Sequence, residues 1–144
     1  MITRFGLAMM LTFTPVASAF AVELRAVNVR TGTEGLEPVP LTISNEGREA
    51  LACNADIAHW YSIEIANAAP GKTARIELWF DPKTGTYAAL NDKRENLPVE
   101  RLWCGLAGRA YATRSQITLD RGQNAGATAR NLVCTNASDR LVCR

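Results

Sequence analysis

The chain has 144 residues but only one histidine, His59, and no Cys-x-x-Cys pair among its four cysteines. The first scarcity removes the mixed Cys/His zinc sites. The second removes the closely spaced pair that thiol oxidoreductases present at a helix N-terminus. A four-thiolate site from Cys53, Cys104, Cys134 and Cys143 would have no zinc-ribbon spacing. There is no Gly-x-Ser-x-Gly elbow, no glycine-rich phosphate loop and no Asp-x-Asp-x-Asp-Gly calcium loop. No cofactor is therefore expected. No window holds a helical period, and no apolar run after the first twenty residues approaches the length of a membrane span.

The opening residues have the layout of a secretory leader. Arg4 is followed by an apolar run from Phe5 to Phe13, Pro15 ends it, and small residues come next. Cleavage fits after Ala19 (Ala17-Ser18-Ala19) or after Ala21 (Ala19-Phe20-Ala21), and the second leaves a clean start at Val22. The expectation is a signal peptide over 1–21 and export, to a bacterial periplasm first and secretion second. An exported domain meets an oxidising environment, so the four cysteines read as two disulfides.

Most of what remains alternates with period two. Val39, Leu41 and Ile43 share one face, as do Leu51, Cys53, Ala55 and Ile57. So do Ile76, Leu78 and Phe80, and Leu102, Cys104 and Leu106. Turn-forming stretches at 45–49, 69–72, 81–85 and 91–98 separate the runs. This pattern predicts about eight half-buried strands, counting 22–30 and 111–119, in an all-β, antiparallel two-sheet sandwich. The sandwich is expected over 22–120. A polar connection and a C-terminal hairpin over 121–144 follow, as a small appendage or an extra edge strand.

Cys53 and Cys104 both fall on inward faces, so a bridge between the sheets is the natural pairing, although four cysteines allow three connectivities. Cys134 and Cys143 suit a hairpin turning at Ser138-Asp139, which sets them directly opposite. Cys53 on an early strand, Trp60 after it, the stretch APGKTARIEL and Cys104 on a late strand resemble an immunoglobulin-like sandwich over roughly residues 23 to 120. Two details depart from it. Trp60 follows Cys53 by seven residues, and Leu102 stands where a tyrosine would precede Cys104. The resemblance implies a fold and transfers no functional residue.

Charge is unevenly spread. From Val22 to Glu100 eight basic residues face twelve acidic ones. From Arg101 onward seven arginines and no lysine face only Asp120 and Asp139. Arg109, Arg114 and Arg121 form the core of an expected cationic flank suited to phosphate or carboxylate. The plain alternative is a solvated surface whose arginines pair with the acidic half. Trp79 and Trp103 point away from the inward faces and could form an aromatic patch, unless loops cover them. His59 has Asp56 and Ser62 three residues to either side, but in a regular strand odd offsets point to opposite faces. Asp81, Asp92 and Glu95 lie in turns and read as solvated acids. Asn136 heads a glycosylation sequon.

The resulting expectation is a non-catalytic binding or accessory module. Its partner would be a protein or an anionic envelope component, met through Arg109, Arg114, Arg121, Trp79 and Trp103. Nucleic acid is not an expected partner. The rivals are a small exported hydrolase using His59 and a structural subunit that joins partners by strand addition.

Overall fold

A computed structural model describes residues 29–58, 61–122 and 130–144. The expected signal peptide, His59, Trp60 and most of the expected strand at 22–30 lie outside them. Among the described residues ten strands are formed: β1 (Glu37–Asn45), β2 (Leu51–Ala58), β3 (Tyr61–Ala68), β4 (Thr73–Asp81), β5 (Thr86–Leu90), β6 (Asn96–Val99), β7 (Arg101–Leu106), β8 (Ser115–Ile117), β9 (Arg130–Ala137) and β10 (Arg140–Cys143). The stretch expected to run as a strand from 111 to 119 is mostly turn, and only β8 survives of it.

The strands make two sheets, one of six in the order β10-β9-β1-β4-β5-β6 and one of four in the order β3-β2-β7-β8. Their inner faces carry the alternating residues. Val39, Leu41, Ile43, Ile76, Leu78 and Phe80 from the larger sheet pack in one cluster with Leu51, Ala55, Leu102, Leu106 and Ile117 from the smaller. An apolar sheet face must be buried against another element, and with no helix among the described residues each sheet covers the other.

Two expectations need correction. The sandwich is not wholly antiparallel, because β9 runs parallel to β1, with Ile43 opposite Leu132 and Asn45 opposite Cys134. The bridge between Cys53 and Cys104 does not join the sheets either. β2 and β7 are neighbours in one sheet, and their register sets the two cysteines directly opposite, with Cα atoms 4.0 Å apart. Both side chains do face the core and both are buried. Alternation tells which way a cysteine looks, but not which strand lies beside it.

The second bridge joins Cys134 to Cys143 across the β9–β10 hairpin. The turn at Ser138-Asp139 places Ser138 at a positive φ of 56°, as tight two-residue hairpin turns require. This hairpin belongs to the sandwich: β9 pairs with β1, while Cys134 and Leu141 are buried in the common core.

Candidate functional site

The side chains with the densest polar and aromatic contacts lie on the outer face of the four-stranded sheet. Asp56 sits there on β2, between the apolar Ala55 and Ile57, and is 9% exposed. A carboxylate that deep needs partners, and its neighbours provide them. Ser62, opposite it on β3, donates its hydroxyl to Oδ1 at 2.6 Å. The indole N–H of Trp103 donates to the same oxygen at 3.0 Å. The guanidinium Nε of Arg101 lies 3.0 Å from Oδ2. Burial pushes the Asp56 carboxyl upward, but the two hydrogen bonds and the Arg101 charge outweigh it and hold the group below its ordinary value.

Trp103 does point outward, as alternation predicts, but it is 6% exposed. Its cover is the turn that follows β7. Thr113 fastens that turn: its hydroxyl accepts the Leu106 N–H at 2.8 Å and donates to the Arg109 carbonyl at 3.0 Å. The turn lies so close to β7 that a Cβ on Gly105 would meet the Ala110 carbonyl oxygen at 2.0 Å, which explains a glycine there. Tyr111 is thereby set edge-on to Trp103, with ring centroids 5.9 Å apart and planes at 83°. Tyr111 as a residue is 69% exposed. Arg114 lies 4.0 Å above the Tyr111 ring centroid and donates an Nη1 hydrogen bond to the Tyr111 carbonyl at 2.7 Å.

The face thus presents a charged and aromatic surface on a rigid base. Arg114 and Arg101 stand on either side of Trp103 along the outer face, since Arg101 is two residues before it and Gln116 is its partner on β8. The Arg101 side chain is 55% exposed. Planar guanidinium donors held in place beside an exposed ring suit a carboxylate or phosphate with an attached flat or apolar body.

The other expected site residues are placed differently. Trp79 lies on the outer face of the six-stranded sheet, opposite Pro38 and Ala88, so the full sandwich separates it from Trp103 and the two form no common patch. It lines a surface groove of about 640 Å³ with Pro38, Pro40 and Glu77. Arg109 is paired with Glu49 at 3.0 Å, and Asn136 of the sequon donates to the same carboxylate at 3.1 Å. Arg121 gives hydrogen bonds to three backbone carbonyls, those of Gly85, Val99 and Glu100. It clasps the β4–β5 turn to the β6–β7 junction. Arg109 follows the end of β7 and Arg121 contacts its start, so the three arginines do not converge. Of the expected cationic set, Arg114 alone stands at the aromatic face.

Ser62 and Asp56, which alternation assigned away from His59, meet each other across β2 and β3. Sequence reasoning missed Asp56, Arg101 and Tyr111 as members of the site. One signal was present, an acid embedded in the apolar strand ADIA. Two acids of the turns are held locally: Asp81 accepts the Lys83 backbone N–H at 2.9 Å, and Glu95 accepts the Asn91 side-chain amide at 2.5 Å. Among the described residues, no three His, Cys, Asp or Glu side chains converge to hold a metal.

All four cysteines are oxidised, which fits an oxidising environment outside the cytosol. Among the described residues no helix is long and apolar enough to cross a membrane. Comparison with known proteins finds no matching family model, no matching characterised protein and no matching solved structure, so the reading of this face rests on its own geometry.

Proposed function

We propose that this protein is an exported, disulfide-bonded binding module that holds an anionic partner, a protein or an envelope component, against the outer face of its four-stranded sheet. Arg114 and Arg101 supply the charge, and Tyr111 supplies the apolar contact. The observation that carries this reading is the Arg114 guanidinium fixed over the exposed Tyr111 ring, with Trp103 and Asp56 behind it. A charge already ordered on an aromatic base loses little further entropy on binding. The oxidised cysteines support export to the periplasm or beyond. The two-layer, all-β architecture supports the immunoglobulin-like reading of the fold, and the in-sheet position of Cys53–Cys104 counts against an antibody-type arrangement.

The test is titration of the purified protein with three anionic probes: phosphatidylglycerol vesicles, an anionic polysaccharide and a polyglutamate peptide. Binding should fall at least tenfold in Arg114→Ala and Tyr111→Ala, weaken steeply with salt, and survive in Arg121→Ala. Binding that ignores salt and Arg114 would sink the reading. Loss of a hydrolytic activity in His59→Ala, with folding intact, would favour the hydrolase.

A further inference from the structure

Each sheet has two edges, and three of the four are blunted. The Leu141 N–H on β10 donates to the Thr113 carbonyl at 2.9 Å and the Cys143 N–H to the Ser115 hydroxyl at 3.1 Å. β6 carries Pro98, and its Asn96 N–H donates to the Arg30 carbonyl at 2.8 Å. β8 has only three residues. The fourth edge, β3, is eight residues long and contains no lysine, arginine or proline. Among the described residues, nothing outside β2 hydrogen-bonds the backbone from Tyr61 to Asn67. Natural sheets rarely leave such an edge unprotected unless something pairs with it. Two register shifts, one leaving Ile65 without a partner on β2 and the other leaving Ile57 without a partner on β3, are the protective irregularities among the described residues.

A cleft of about 680 Å³ runs beside this edge. It opens because β5 is paired with β4 only from Trp79 to Asp81, and the two strands then part. The four-stranded sheet is two strands narrower than its partner, so the cleft lies where a fifth strand would fit. Ile63, Ile65 and Leu97 give it an apolar lining, and among the described residues its charged lining is Glu64, Glu77, Asp92 and Glu95 against one cation, Arg75.

We infer that this cleft accepts an extended, basic peptide segment of a partner protein, which adds to β3 as the fifth strand of the smaller sheet. Main-chain hydrogen bonds to β3 give the affinity, alternate apolar side chains enter between the sheets, and lysines or arginines meet the acidic rim. A second copy of the chain fits less well. Its β10 and β6 edges are capped, and its own β3 would set carboxylates against carboxylates. The inference is separate from the anion-binding face, since it uses another edge and the opposite charge.

The experiment uses an eight-residue, end-capped peptide of alternating lysine and valine. Its controls are the glutamate-valine counterpart and a version N-methylated at alternate residues. Amide hydrogen exchange and calorimetry are read on the purified protein. The lysine peptide should slow exchange across Tyr61–Glu64 at least tenfold and bind at least tenfold more weakly to Glu64→Lys/Glu77→Lys. Neither control should bind, and Tyr111→Ala should change nothing. Equal binding of the N-methylated peptide, which retains the charge but cannot pair as a strand, would overturn the inference. So would absence of protection at β3, or protection that arises from self-association without peptide.

Discussion

Trp103 and Asp56, separated by 47 residues of sequence, are joined by an indole-to-carboxylate hydrogen bond of 3.0 Å on the outside of the smaller sheet. The bond ties β2 to β7 beneath the exposed Tyr111 ring and fixes the base on which the binding face is built. Asp56→Ala leaves the buried indole N–H unpaired and frees Arg101 and Ser62. Unfolding in urea should show a loss of about 1–3 kcal/mol. Trp103 emission should shift to the red in the folded variant, and an unchanged spectrum would show that the bond does not hold the ring.

The same carboxylate sets an acid limb. Because its folded-state value lies below the ordinary 3.8, its contribution is complete above that pH and disappears as pH falls through the lower folded value. Asp56→Asn should therefore flatten the dependence of stability on pH below 3.8 relative to the wild type. Parallel slopes in the two proteins would show that other acids dominate.

At the alkaline end Tyr87 is the corresponding group. Burial, and then the Asp120 charge, push its hydroxyl above the ordinary 10.0. That hydroxyl donates to the Asp120 carbonyl at 2.6 Å. Its contribution is complete below pH 10.0 and is lost as pH rises through the folded value. Tyr87→Phe should cost about 1 kcal/mol at neutral pH and remove part of the alkaline loss, both read from melting temperatures across the pH range.

Gly105 and Arg121 test the supports rather than the face. Gly105→Ala drives a methyl into the Ala110 carbonyl and should cost about 1–3 kcal/mol, with weaker ligand binding because the turn carrying Tyr111 must move. Arg121→Lys should melt almost as low as Arg121→Ala, since one ammonium cannot reproduce a planar fork that reaches three carbonyls. Full rescue by lysine would reduce Arg121 to a simple surface charge.

The two bridges should differ in worth. On the chain-entropy account, a loop of 51 residues gives Cys53–Cys104 about 4 kcal/mol, and one of 9 residues gives Cys134–Cys143 about 2.6 kcal/mol. The paired alanine variants, compared by urea unfolding, should keep this order.

The legible part of the fold was local. Period-two alternation told correctly that Leu41, Ile76, Leu78, Leu102 and Leu106 face inward, and the two-residue turn at Ser138-Asp139 set Cys134 opposite Cys143. Strand neighbours were not legible, because they depend on how distant segments meet. Nothing near Cys53 says that β7 lies beside β2, and nothing near Ile43 says that β9 arrives parallel. The candidate site failed to show for the same reason. Alternation turned Trp103 outward, yet its cover depends on a turn pinned by Thr113 and on the absent side chain at Gly105. Arg109 and Arg121 looked free because their partners, Glu49 and the carbonyls of the β4–β5 and β6–β7 turns, are distant in sequence.

The parallel ladder of β1 with β9 also orders events in time. A chain made from its N-terminus has β1 from early on, but β9, the strand that covers that edge from Leu41 to Asn45, begins only at Arg130. Until it arrives, the nascent sandwich carries an adhesive flank in its larger sheet. Premature termination anywhere before Arg130 would leave that flank exposed permanently, so truncated products should aggregate rather than persist as shortened but folded proteins.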